Sequence, residues 1–126
     1  MAKYQFRVEV APQYLHEQSA PSHGIFSFAY TITITNTGEV PSQLISRHWV
    51  ITNAAGEKEE VKGLGVVGQQ PLLKPGESFQ YTSGCRLRTS TGSMAGSYFC
   101  VAEDGTRFEV AIPEFDLDDG TQRVLH

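Results

Sequence analysis

Hydrophobic and polar residues alternate along most of this chain with the two-residue period of strands that bury one face and wet the other. Tyr4, Phe6, Val8 and Val10 interleave with Lys3, Gln5, Arg7 and Glu9, which predicts a first strand. A longer run follows. Phe26, Phe28, Tyr30, Ile32 and Ile34 alternate with Ser27, Ala29, Thr31, Thr33 and Thr35 and stop at the turn-forming Asn-Thr-Gly of residues 36–38. Further strands are predicted over 43–53 around Trp49, 57–62, 78–85, 94–102 and 106–112. They are separated by Ala-Ala-Gly, Lys-Pro-Gly, Ser-Thr-Gly and Glu-Asp-Gly, and no ten-residue window carries a helical period.

Seven to eight short antiparallel strands in 126 residues predict an all-β sandwich, immunoglobulin-like or fibronectin type III-like, with residues 1–126 forming one domain. Trp49 on the third strand, and Tyr98 two residues before Cys100 on the sixth, echo the tryptophan and tyrosine-corner positions of immunoglobulin sandwiches. No cysteine stands in the strand that would complete their intersheet disulfide. Cys100 therefore reads as a small buried apolar side chain, and Cys85 and Cys100 as free thiols.

Composition narrows the function classes. Ten Lys plus Arg against fourteen Asp plus Glu give a net charge of −4, with Arg86 and Arg88 the only basic cluster. Nucleic-acid binding would lack its electrostatic footprint. The charged start and the lack of any long apolar run predict a cytoplasmic protein with no membrane insertion.

The stretch Val-Lys-Gly-Leu-Gly-Val-Val-Gly-Gln-Gln-Pro at 61–71 contains G-x-G-x-x-G at Gly63, Gly65 and Gly68. A dinucleotide site needs a buried strand before such glycines and a helix after them. Here Glu-Lys-Glu-Glu-Val-Lys precedes, and Pro71 and Pro75 follow, which forbids the helix. The glycines then serve a tight excursion between strands. Two uses of that loop stay open: presentation of Val66 and Val67, with Arg47 nearby, to a protein partner, or an anion-binding nest of backbone N–H groups. Val66, Val67, Leu72 and Leu73 form an anchor patch if exposed and ordinary core if not.

Arg47 is in phase with Ile45, Trp49 and Ile51, so an unbroken strand would aim its guanidinium at the core. Either a bulge turns it outward, or its stem packs on Trp49 while its head meets a carboxylate or ligand. Catalytic and metal-binding patterns are missing. His16, His23, His48 and His126 are scattered, Glu59 and Glu60 are predicted on opposite faces of a strand, and Asp-Leu-Asp-Asp-Gly at 116–120 is a malformed calcium loop that reads as a solvated acidic tail. The expectation is a protein without enzymatic activity, cofactor or bound metal.

The stretches 28–36, 47–52, 61–71, 73–84 and 92–98 together resemble the ApaG family over nearly the whole chain. The resemblance implies a fibronectin-like sandwich, an interaction module with an unidentified protein partner, and an association with cobalt tolerance and magnesium efflux. It implies no catalytic residues. Direct divalent-metal binding, and small-anion or nucleotide binding at the glycine-rich loop, are the alternative functions.

Overall fold

In the computed structural model, which describes residues 2–121, the alternating runs become eight strands: β1 (Phe6–Tyr14), β2 (Phe26–Asn36), β3 (Ser42–Asn53), β4 (Lys58–Leu64), β5 (Leu72–Leu73), β6 (Ser78–Leu87), β7 (Thr91–Ala102) and β8 (Arg107–Asp118). All pairings are antiparallel. One sheet has the order β1-β2-β6; the other runs β4-β3-β7-β8, with β5 also on β3. This is a fibronectin type III-like β-sandwich. Two short 3-10 turns, His16–Gln18 and Pro21–His23, lie between β1 and β2. No helix among the described residues is long and apolar enough to cross a membrane.

The inward-facing residues of each strand close one core. Phe28, Tyr30, Ile32 and Ile34 from β2 meet Leu44, Trp49 and Ile51 from β3 and Tyr98 and Cys100 from β7. Tyr30, Trp49 and Phe115 pack as an aromatic triad with ring centroids 5.4 to 6.0 Å apart. Burying rings at tilted and edge-on angles adds to the area-proportional gain of taking them out of water. At the Asn-Thr-Gly turn, the buried Asn36 amide donates to the carbonyls of Val40 and Leu73 and accepts from the Gly38 amide. That side chain ties the turn after β2 to β5.

Two register shifts reset the alternation. In β3 the pairing with β7 jumps between Leu44 and Ser46, so Ile45 is an extra residue, and the core face passes from Leu44 to Trp49 and Ile51. In β8 the pairing jumps from Ile112 to Phe115 opposite Gly96 and Met94. Pro113, which has no N–H to give a ladder, sits in that bulge. The shift carries the strand on to Asp118 and places Leu117 fully in the core. Residues 116–118, expected as a solvated tail, are instead the end of β8. Asp118 does remain exposed, accepting from the Gly120 amide.

Tyr98 is not a tyrosine corner. Instead of reaching back to nearby backbone, its hydroxyl shares a 2.5 Å hydrogen bond with that of Tyr81 on β6, across the two sheets. Burial raises the pKa of both hydroxyls, that of Tyr81 to about 12. Cys85 and Cys100 are free thiols, which burial pushes up to about 11 and about 12.

Tyr98→Phe, which leaves the Tyr81 hydroxyl without its buried partner, is expected to cost about 1–3 kcal/mol in urea-induced unfolding. Both phenols ionise less readily folded than unfolded, so stability is expected to be intact below pH 10 and to fall as pH rises from about 10 through about 12. Circular dichroism melts across that range check it. Thiol titration under denaturing, non-reducing conditions should count two free thiols per chain, and the native chain should react slowly because the thiolate is the reactive form.

Candidate functional site

The bulge at Ile45 disturbs the edge of the sheet beside it. β4 pairs with β3 from Thr52 back to Ser46, and β5 resumes at Gln43 and Ser42. Between them residues 65–71 leave the ladder. The Ile45 carbonyl accepts from the Gly65 amide at 2.8 Å and from the Gln70 side-chain amide at 2.9 Å. Inside the excursion, Val66 and Gln69 exchange both backbone hydrogen bonds, making a very tight hairpin. Val67 and Gly68 form its tip.

Each motif glycine answers a separate steric demand. Gly65 has φ +65°, and a Cβ there would run into the Gln69 carbonyl oxygen. Gly68 has φ +80° with open space around it, so only its backbone conformation favours glycine. Gly63 has no such φ. A Cβ on Gly63 would lie 2.9 to 3.0 Å from the guanidinium of Arg47, so it is a seat for that side chain.

Arg47 pairs across β3 with Gly63 on one side and Tyr98 on the other. The bulge is present, but it lies before Arg47 and leaves it in phase with Trp49 and Ile51; it does not turn the arginine outward. Nor does the head meet a carboxylate. Nη1 donates to the carbonyls of Leu64 at 3.0 Å and Gly65 at 2.8 Å. The two ion pairs among the described residues are Arg7 with Glu9 and His48 with Glu60. Arg47 clamps the loop to the sheet.

The expected pair Val66 and Val67 is divided. Val66 is 1% exposed and belongs to the core, whereas Val67 is 54% exposed. The second apolar pair divides the same way: Leu73 is buried and Leu72 is 57% exposed. Leu64, which the sequence pattern did not single out, is 75% exposed. It occupies the outward phase of β4 shared with Glu60 and Lys62, and an apolar residue in a charged phase is the signal that marks it. Leu64, Val67 and Leu72 are the exposed large hydrophobic residues of the described chain, and all three border one loop. Val67 has φ +43°, the one non-glycine residue described with positive φ.

Some of the loop's backbone N–H groups are bonded within the fold. The amides of Gly65, Val66 and Gln69 are already bonded to carbonyls of the chain. The remaining sequence candidates lie elsewhere. His48 and Glu60 pair at 2.9 Å on the outer face, where the imidazole holds the Glu60 carboxyl below the usual range. His16 and His23 sit in the two 3-10 turns, and His126 lies outside the described residues. Glu59 pairs with Ile51 and Glu60 with Val50, on opposite faces as alternation requires. Among the described residues no three His, Cys, Asp or Glu side chains are grouped to hold a metal ion.

A family profile described as the ApaG domain matches residues 16–102. The chain is 71% identical over 120 residues to Protein ApaG of Acidovorax sp. (strain JS42), covering 94% of this chain and 88% of that one. With Protein ApaG of Ralstonia nicotianae it shares 62% identity, and both chains are covered in full. A crystal structure from Bordetella pertussis, 56% identical, matches with a TM-score of 0.93 over 95% of this chain and 98% of its own. A protein from Archaeoglobus fulgidus, at 14% identity and a TM-score of 0.51, shares the fold alone.

The glycine roles predict an order of damage. Gly65→Ala combines left-handed strain with a backbone clash and is expected to lose more than about 2 kcal/mol. Gly68→Ala, with strain alone, should lose about 1 kcal/mol. Equal losses in urea titrations would contradict the assignment.

Proposed function

The chain belongs to the ApaG domain family, and from that premise we propose that it is a non-enzymatic protein-interaction module whose partner docks on the loop between β4 and β5. The observation that carries this reading is Val67: a β-branched residue, more than half exposed, held at φ +43°. Such a conformation costs of order 1–3 kcal/mol and persists only where the surroundings impose it, typically at functional positions. Here the mutual Val66–Gln69 bonds and the burial of Val66 impose it. Leu64 and Leu72 stand at the two ends of the same loop, so it presents three exposed apolar side chains of the kind that anchor a partner. The family's association with cobalt tolerance and magnesium efflux then operates through the partner.

Val67→Gly removes both the strain and the anchor. It is expected to leave stability unchanged or to raise it by about 1 kcal/mol, while crosslinked capture of interacting proteins from lysate falls. Leu64→Glu with Leu72→Glu, folded by circular dichroism, should lose the same captured proteins. Capture that survives all three changes would move the interaction surface away from this loop. The purified chain should also carry no stoichiometric cobalt or magnesium by elemental analysis; about one tightly held ion per chain would favour direct metal binding instead.

A further inference from the structure

Arg47 has more hydrogen-bonding capacity than the fold uses. A guanidinium carries five N–H donors in a planar fork. Only Nη1 is engaged, by the Leu64 and Gly65 carbonyls. Among the described residues, no buried side-chain nitrogen or oxygen is without a hydrogen-bond partner. Nε and Nη2, which have no acceptor among the described residues, are therefore not sealed from solvent. They form the edge of the fork that grips both oxygens of a carboxylate in a bidentate pair.

Three features make this edge more than a stray surface cation. The side chain is held at one end by two carbonyls, so little rotamer freedom remains to be lost when an anion binds. Its plane rests against the bare Cα of Gly63, where any side chain would collide with it. And among the described residues it has no ion-pair partner, in a chain of net charge −4 where acidic side chains outnumber basic ones. A loop clamp needs donors to carbonyls, which a lysine would supply; a fixed fork with one edge free is what arginine adds.

We propose that the Nε–Nη2 edge of Arg47 is a receptor for a carboxylate, carried by the protein that docks beside Leu64 and Val67. The inference rests on the interaction reading above and adds the chemistry of the partner: an acidic side chain or chain terminus next to an apolar anchor. The apolar side chains supply affinity, and the bidentate pair fixes orientation.

The test uses the purified chain and small anions, so that it is independent of partner capture. Sodium acetate, methyl phosphate and sodium chloride are titrated at matched ionic strength near pH 6.5, and the arginine Nε–H signals are followed by NMR. Acetate is expected to move the Arg47 signal saturably, and at least about fivefold further than those of Arg7, Arg86, Arg88 and Arg107, because only Arg47 is preorganised. Chloride should move these five signals alike. In Arg47→Lys the acetate response of the amides of residues 63–65 should vanish; its persistence would place the anion elsewhere and overturn the proposal. An Arg47 signal that moves no further than the others, or that saturates with methyl phosphate and not acetate, overturns it too. Should Arg47→Lys fail to fold, the wild-type signals decide alone. Failure here with capture intact sinks the carboxylate receptor and spares the docking loop, whereas lost selectivity of capture with a normal acetate response does the reverse.

Discussion

The carbonyl of Ile45, the residue at which β3 shifts register against β7, is the constraint on which this edge of the molecule depends. A regular ladder would have carried β4 straight into β5. Instead that oxygen takes the Gly65 amide and the Gln70 side chain, and the intervening residues must close on themselves. Closing in so few residues demands positive φ at Gly65, Val67 and Gly68. One inserted residue thus propagates from β-pairing to loop strain to surface chemistry, as bulges do when they re-aim side chains.

Alternation made the sandwich legible wherever strand phase was constant. β2, with eleven residues in one phase, matched its predicted range to within a residue at each end. Where a bulge resets the phase the period misleads: alternation ends β8 at Ile112, because Phe115 and Leu117 fall on the other parity, although they face the same core. A period of two has no memory across an inserted residue. β5, at two residues, is too short to show any period, and only its pairing with β3 defines it.

For the site, sequence chemistry was a better guide to exclusion than to geometry. Pro71 and Pro75 do rule out a helix after the glycines, and none forms. Which of two adjacent valines faces solvent could not be read, because turn residues have no fixed periodicity; the answer lies in the mutual bonding of Val66 and Gln69. Phase alone leaves Arg47 between two outcomes, a bulge that turns it outward or a stem packed on Trp49, and the shift before it keeps it in phase with Trp49 and Ile51. Its partners were missed because they are backbone carbonyls, and a carbonyl acceptor leaves no mark in residue identity. The Tyr81–Tyr98 bridge escaped for a similar reason, since only the folded packing of two sheets brings those hydroxyls together.

The contact between Gly63 and Arg47 also joins two positions sixteen residues apart in sequence into one mutational unit. While the guanidinium occupies its seat, position 63 is closed to every side chain, since even a methyl group meets it at about 3 Å. Shortening residue 47 would vacate the seat and open position 63 to alanine or larger residues, at the cost of the clamp on Leu64 and Gly65. A side chain at 63 would therefore have to displace the guanidinium from the carbonyls it holds, so the glycine there answers to a neighbour's bulk and not to a left-handed backbone.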